Sequence, residues 1–203
     1  MNQIEALQQL NATGMAVLET RDAAALLQVS ASNATTILRR LAHEKLIVHL
    51  SYGRWLIARK TDRLWLPELI SAPSPAYVSL QSALYHHGVI EQIPAMIYAV
   101  TLGRTRRFET PVGTISYHHL SVELFDGFEL AEHSDAKVAT AEKALFDLLY
   151  LGPGRSRLFA DLPELTLPAR FQWSRVRQYL DAVPSLSRRA YIEARIQALR
   201  RRA

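Results

Sequence analysis

Cysteine is absent from the 203-residue chain. Neither a disulfide framework nor a thiolate metal site is therefore possible, and no covalent feature points to an oxidising compartment. Long apolar runs are also missing: no stretch approaches the length that spans a bilayer, and the N-terminal residues lack a basic region followed by an apolar one. We expect a protein that is neither exported nor embedded in a membrane, with the cytoplasm as its simplest location.

The motifs of common active sites are absent too. The chain has no Gly-rich phosphate loop, no Gly-x-Ser-x-Gly elbow and no His-Glu-x-x-His pair. Histidines occur as neighbours at 86–87 and 118–119, and neighbouring side chains diverge on a helix or a strand, so we expect no metal site there. Glu142, Lys143 and Asp147 share one predicted helix. We expect them to interact favourably with the helix dipole near its N-terminus and to lie charged on the surface, rather than to form a nuclease site. The sequence thus predicts no catalytic residue, no cofactor and no metal, and a protein that is not an enzyme.

What the chain does contain is an ordinary globular composition with unevenly placed charge. Hydrophobic residues make up 49% and charged residues 21%, so the chain is expected to fold. The net charge of +5 divides into +3 over residues 1–63, −5 over residues 64–150 and +7 over residues 151–203. Basic segments on both sides of an acidic middle favour a polyanionic partner.

The first part of the chain has the apolar periodicity of three helices. Ile4, Leu7 and Leu10 recur at helical spacing before a stop at Thr13-Gly14. A second helix is predicted over residues 20–27, with Thr20 as a capping residue, and a third from the N-cap Ser30 to about residue 44. Two helices joined by so short a turn predict a helix-turn-helix.

The third helix separates an apolar stripe from a polar outer face. The predicted stripe is Ala34, Ile37, Leu38 and Leu41. The predicted DNA-contacting residues on the outer face are Ser32, Asn33, Thr36, Arg39 and Arg40, with His43 further along. Asn and Arg make bidentate hydrogen bonds to adenine and guanine edges, and Ser and Thr reach bases or phosphates. Taken alone, this pattern fits a solvated helix face equally well.

A predicted hairpin directly after this helix favours DNA binding. Residues 47–50 and 55–58 are β-rich runs around the glycine-containing turn at 51–54. A hairpin in this position is a wing, and Tyr52 and Arg54 at its tip are suited to phosphate or minor-groove contact. Residues 1–63 are therefore predicted to form a winged helix-turn-helix that binds double-stranded DNA.

The rest of the chain is predicted to form a second unit. Residues 64–75, with three prolines, are expected to connect it to the first, with Leu64, Trp65 and Leu66 docking on one unit or the other. Residues 76–203 are predicted to form a mixed α+β domain with an arginine-rich helical tail. Its predicted elements are a strand at 77–78, a helix capped by Ser79, a strand at 97–102, a hairpin at 108–118, a helix from Thr140 to the stop at 152–154, and helices after Ser174 and Ser187.

Two basic groups in this second unit are open to two interpretations. Arg104, Arg106 and Arg107 are predicted to form a basic loop between two strands, which is either solvated or an additional nucleic-acid contact. Arg200, Arg201 and Arg202 form either a frayed tail or a phosphate clamp.

Two segments of the second unit resemble the AbiEi family, whose members are antitoxins and transcriptional regulators of type IV toxin-antitoxin systems. They are residues 77–88 (Tyr-Val-Ser-Leu-Gln-Ser-Ala-Leu-Tyr-His-His-Gly) and residues 138–149 (Val-Ala-Thr-Ala-Glu-Lys-Ala-Leu-Phe-Asp-Leu-Leu), which follow the predicted winged helix. The resemblance implies a repressor that binds inverted repeats in its own promoter. It also implies a second domain that counteracts a nucleotidyltransferase-like toxin without requiring a stable complex. Thr140-Ala141 stands where the family usually has a proline before Glu-Lys-Ala.

One alternative function remains open on the sequence alone. A winged-helix regulator whose second domain binds a small effector would show the same N-terminal pattern. A neighbouring nucleotidyltransferase gene would favour the antitoxin over this alternative.

Overall fold

The structure, a computed structural model, describes residues 2–57, 62–152 and 164–201. Its α-helices in these ranges are α1 Gln3–Asn11, α2 Thr20–Leu26, α3 Ala31–His43, α4 Leu66–Ser71, α5 Leu80–His86, α6 Ala141–Leu151, α7 Trp173–Asp181 and α8 Leu186–Arg200. The strands are β1 Val17–Glu19, β2 Val48–Ser51, β3 Arg54–Leu56, β4 Ala76–Val78, β5 Ile97–Thr101, β6 Arg106–Thr110, β7 Gly113–His119, β8 Phe128–Leu130 and β9 Lys137–Ala139. The predicted α+β class is confirmed. Positions 58, 153, 154 and 202, which some of the predictions above include, lie outside the described residues.

The three N-terminal helices pack around a small apolar core. The buried members of this core are Ala6, Leu10, Leu18, Ala23, Leu27, Leu38, Leu41, Ile47, Trp55 and Ile57. The predicted stripe of α3 is largely confirmed, since only Ile37 is partly exposed. In α1, however, Ile4 is 63% exposed and Ala6 is buried in its place. The predicted cap of α2 is also wrong, because Glu19 occupies the N-cap position and forms a capping box with Asp22.

A three-stranded antiparallel sheet in the order β1-β3-β2 completes this part. β2 and β3 form the predicted hairpin, with a register shift between His49 and Ser51. β1 pairs with the other edge of β3, with Leu18 opposite Trp55. The hairpin is therefore part of a sheet that closes over the helices.

The second sheet has six strands in the order β6-β7-β5-β4-β9-β8. β5 pairs with β7, and β4 with β9, in parallel, while the other neighbours are antiparallel. Every residue of β4 and β5 is buried, so these central strands are covered on both faces. The strand at 97–102 and the hairpin at 108–118 are confirmed, whereas the short strands β8 and β9 were not predicted.

The predicted connecting segment contains the helix α4. Leu66 and Ile70 of this helix are 2% and 0% exposed and belong to the core of the second sheet. Leu50 and Leu56 of the N-terminal hairpin belong to the same core. The two parts of the chain therefore share buried apolar contacts across this segment.

A buried polar network joins β4, α5 and α6. Lys143 pairs with Asp147 one helical turn away, and both side chains are fully buried. The second carboxylate oxygen of Asp147 accepts hydrogen bonds from Ser79 Oγ at 2.7 Å and from Tyr77 Oη at 3.1 Å. Glu142 is 6% exposed, and its Oε1 accepts a hydrogen bond from the backbone N–H of Gln172. The prediction of surface charge is thus wrong for all three residues: they are buried because α5, α7 and α8 pack on this helix.

The C-terminal helices lie on α6. Val176 and Leu180 of α7 and Ile192 and Ile196 of α8 are buried, as predicted. Across the described residues, no helix combines the length and apolar character needed to cross a membrane.

Candidate nucleic-acid interface

The exposed face of α3 is set by its cap and its buried stripe. Ser30 Oγ accepts a hydrogen bond from the backbone N–H of Asn33 and starts the helix, as predicted. Ala34, Leu38 and Leu41 are fully buried and fix which side faces outward. The five α3 residues among those predicted to contact DNA, Ser32, Asn33, Thr36, Arg39 and Arg40, are all exposed.

The order of these residues along α3 places most of them in one row. Ser32, Thr36 and Arg39 are spaced by four and three residues, so they follow one another on the same side of the helix. Thr36 Oγ1 donates to the backbone carbonyl of Ser32, which holds that hydroxyl against the helix. Asn33 and Arg40 lie on adjacent positions of the same surface.

This face carries positive charge without a neighbouring carboxylate on the same helix. Residues 31–43 contain two arginines and no acid. No salt bridge within the described ranges involves Arg39 or Arg40, whereas Arg21, Arg54 and Arg107 each lie within 4.0 Å of a carboxylate. The two α3 guanidinium groups are therefore available to an anion or a base edge.

The β2–β3 turn is anchored to the start of α2. Tyr52 at the tip is fully exposed. Gly53 has φ +71°, a conformation that glycine adopts readily. Its carbonyl accepts a hydrogen bond from the backbone N–H of Thr20 at 2.8 Å, and Trp55 Nε1 donates to Thr20 Oγ1 at 2.9 Å. These bonds position Tyr52 relative to the helices.

Arg54 lies elsewhere than its expected position at the tip. Its guanidinium donates hydrogen bonds to the carbonyls of Ile70 and Ala72 at the end of α4, and it lies 3.8 Å from a carboxylate oxygen of Glu19. The side chain is only 24% exposed. The structure thus leaves Tyr52 exposed at the hairpin tip but turns Arg54 toward the end of α4. Sequence could not reveal this, because its main partners are backbone carbonyls.

The three arginines of the predicted basic loop do not share one surface. Arg106 and Arg107 belong to β6, so the loop is shorter than predicted. Successive residues of a strand face opposite sides, and Arg107 accordingly pairs with Glu109 at 3.2 Å while the Arg106 guanidinium lies 5.4 Å from the Tyr117 ring centre. Arg104 and Arg106 instead border a cavity together with Arg54. This grouping was not predicted.

The titratable groups with shifted pKa values lie away from α3. Burial lowers the pKa of His118, whose Nε2 lies 3.0 Å from Ser116 Oγ. Burial, followed by the charge of His87, lowers the pKa of His86. Burial raises the pKa of Tyr117 against the opposing effect of nearby arginines, so its hydroxyl stays protonated and donates to the carbonyl of Pro67 at 2.8 Å. Within the described ranges, no three His, Asp or Glu side chains are grouped so that they could hold a metal ion.

Comparisons with known proteins do not assign the chain to a family. No protein-family model matches it, and neither does any curated protein. What the chain does must therefore be inferred from its own residues and their placement.

Proposed function

We propose that the chain is a sequence-specific DNA-binding transcriptional regulator whose N-terminal part is a winged helix-turn-helix with α3 as its recognition helix. The observation that carries this proposal is the exposed face of α3. Asn33, Arg39 and Arg40 all project from a helix without carboxylates and are not held by ion pairs within the described residues. A helix surface of this kind is what base edges and phosphates require.

The arrangement of elements supports the same proposal. α2 ends at Leu26 and α3 begins at Ala31, which leaves the short turn typical of a helix-turn-helix. The β2–β3 hairpin follows α3 directly and pairs with β1. This order of three helices and three antiparallel strands is typical of winged helices.

In this proposal α3 enters the major groove, which is wide enough for one α-helix. Arg39 is assigned to a guanine edge and Asn33 to an adenine edge, while Ser32, Thr36 and Arg40 are assigned to bases or phosphates nearby. Tyr52 contacts the sugar-phosphate backbone from the hairpin tip. Arg54 has a structural role, since its guanidinium already bonds the carbonyls after α4.

The experiment measures binding of the full-length protein to its own promoter and to a scrambled duplex of equal length over a range of salt concentrations. Arg39→Ala should weaken promoter binding by about 1–3 kcal/mol and relax the preference at one base pair. Arg21→Ala is the matched control, since Arg21 is 80% exposed on α2 but is paired with Glu19. Tyr52→Ala should weaken binding to the promoter and to the scrambled duplex by the same factor. Wild-type protein that binds the promoter no better than the scrambled duplex would contradict the proposal.

We further propose, from the resemblance to AbiEi proteins, that the regulator represses its own operon and antagonises a nucleotidyltransferase-like toxin. The two segments that carry the resemblance pack together, because Ser79 of the first donates a 2.7 Å hydrogen bond to Asp147 of the second. They therefore belong to one structural unit, as a shared antitoxin domain would require.

A separation-of-function variant tests the antitoxin proposal in the full-length chain. Fragments that begin at Ala76 are unsuitable, because they lack the buried residues Leu66 and Ile70 of α4. The double variant Arg39→Ala/Arg40→Ala should lose promoter binding yet still rescue growth when expressed with the toxin encoded beside it. If wild-type protein fails to rescue growth, the antitoxin proposal is wrong, but the proposal that the protein binds DNA still stands.

A further inference from the structure

A cavity of about 360 Å³ lies where the N-terminal hairpin meets the second sheet. Its lining includes Arg54, Ser74, Thr101, Arg104, Arg106 and Tyr117. We propose that this cavity binds a small phosphorylated molecule of about the size of a mononucleotide. Its volume falls within the range of about 300–1,000 Å³ that is usual for small-molecule sites.

The charge of the lining favours an anion. Among the described residues that line the cavity, three are arginines and none is Asp or Glu. Glu19 lies 3.8 Å from Arg54 and offsets part of that one charge. Guanidinium groups pair with phosphate oxygens through two parallel hydrogen bonds, so a phosphoryl group is the anion that this set recognises best.

One of the guanidinium groups is held in place before any ligand binds, and a second lies against aromatic rings. Arg54 is fixed by the carbonyls of Ile70 and Ala72. Arg106 lies opposite Tyr117 in the β6–β7 register, with its guanidinium carbon 5.4 Å from the Tyr117 ring centre and 5.8 Å from that of Phe108. Binding at pre-positioned side chains costs less conformational entropy than binding that must first order flexible side chains.

The depth of the cavity favours a small molecule over duplex DNA. Tyr117 and Thr101 are 0% and 2% exposed, and the Arg54 side chain is 24% exposed. A duplex backbone would reach the exposed Arg104 and Arg106 at the rim but not Arg54. A compact phosphorylated molecule would fit inside the cavity that all three arginines border.

The position of the cavity allows a bound ligand to influence the proposed DNA-binding part. Arg54 belongs to the hairpin of the N-terminal part, whereas Arg104 and Arg106 belong to the second sheet. A bound phosphoryl group would therefore bridge the two parts. An effect of the ligand on promoter affinity rests on the proposed DNA-binding function, but binding of the ligand itself does not.

Calorimetric titration of the full-length protein in phosphate-free buffer tests the site. The probes are inorganic pyrophosphate, adenosine monophosphate and guanosine monophosphate, with unphosphorylated adenosine as the negative control. Arg104→Ala and Arg106→Ala remove lining arginines. Arg107→Ala is the matched control, since Arg107 is adjacent in sequence, lies on the opposite face of β6 and pairs with Glu109.

We expect saturable binding of at least one phosphorylated probe and none of adenosine. Arg104→Ala and Arg106→Ala should each weaken binding by about 10- to 100-fold, as the loss of a charge-assisted hydrogen bond does, while Arg107→Ala leaves it unchanged. Absence of saturable binding at millimolar probe concentrations would overturn the proposal. Equal weakening by Arg107→Ala would also overturn it, because it would indicate diffuse attraction rather than a site. If a random duplex binds through Arg104 and Arg106 but no small probe binds, the patch is a DNA surface and the proposal is wrong.

Discussion

Replacement of Lys143 by methionine tests the buried network that joins the two motif segments. Methionine keeps most of the side-chain volume and removes the cation that pairs with Asp147, and both of these residues are fully buried. The ammonium group lies 5.1 Å, 5.3 Å and 5.9 Å from the ring centres of Tyr179, Phe146 and Tyr77, so no water replaces it easily. The substitution therefore leaves a buried carboxylate whose remaining hydrogen-bond partners, among the described residues, are Ser79 and Tyr77.

We expect Lys143→Met to reduce the free energy of unfolding by about 3–5 kcal/mol at neutral pH, the usual cost of breaking a buried ion pair from one side. The loss should depend on pH. Burial raises the pKa of Asp147 above its ordinary value of 3.8, and Lys143 opposes that shift. Without Lys143 the pKa of Asp147 in the folded state rises further above its value in the unfolded state. The variant therefore loses stability as the pH rises from 3.8 through the raised pKa, and its deficit is smallest in acid.

Urea denaturation followed by circular dichroism at pH 5 and pH 7 measures these differences. The double variant Lys143→Met/Asp147→Leu should cost less than either single substitution, because it removes both charges together. Lys137→Met is the control: Lys137 pairs with Glu68, but both side chains are about one-third exposed, and such pairs contribute about 0–1 kcal/mol. A loss for Lys143→Met no larger than that for Lys137→Met would refute the inferred burial of the pair.

Three further substitutions test other parts of the structure. Burial lowers the pKa of His118, so the unfolded state takes up a proton on this residue at a higher pH than the folded state does, and stability should fall as the pH drops below 6.5. His118→Gln should therefore reduce the change in melting temperature between pH 7.5 and pH 5.5. Gly127→Ala should cost at least about 1 kcal/mol more than Gly88→Ala, since both have positive φ but only the Gly127 Cβ would lie 2.2 Å from Tyr179 Oη. Arg54→Ala should cost about 1.5–3 kcal/mol in a denaturation assay through its lost bonds to carbonyls, yet weaken promoter binding less than Arg39→Ala does.

Local patterns predict the N-terminal helices well because their causes are local. Ser30 followed by an apolar stripe specifies both the start of α3 and the side that it buries, and the structure confirms both. Ile4 is the exception, since helical spacing cannot distinguish it from Ala6 as the residue that reaches the core. The residues predicted on the outer face of α3 are exposed for the same local reason.

Features that depend on distant contacts were missed. Pro67 lies in the first turn of α4, where proline is common in helices, so the sequence did contain a sign of this helix. The other prolines nearby led instead to the prediction of a connecting segment. The three-residue strands β8 and β9 are too short to show alternation, and the order of the second sheet follows from no local pattern. Ser79 looks like a helix cap in sequence, but its hydroxyl bonds Asp147, 68 residues away.

The two roles of arginine near the hairpin follow from what each guanidinium already contacts. Arg39 has no ion pair within the described residues, so in the proposed complex it would break no salt bridge to bind DNA. Arg54 would have to release two backbone carbonyls to reach a phosphate at the hairpin tip, and those carbonyls would then be left without their charged donor. The same residue type is thus exposed on α3, while in β3 it bonds the backbone carbonyls that follow α4. Because Arg54 also borders the cavity, a ligand that binds there acts on a residue that already links the two parts of the chain.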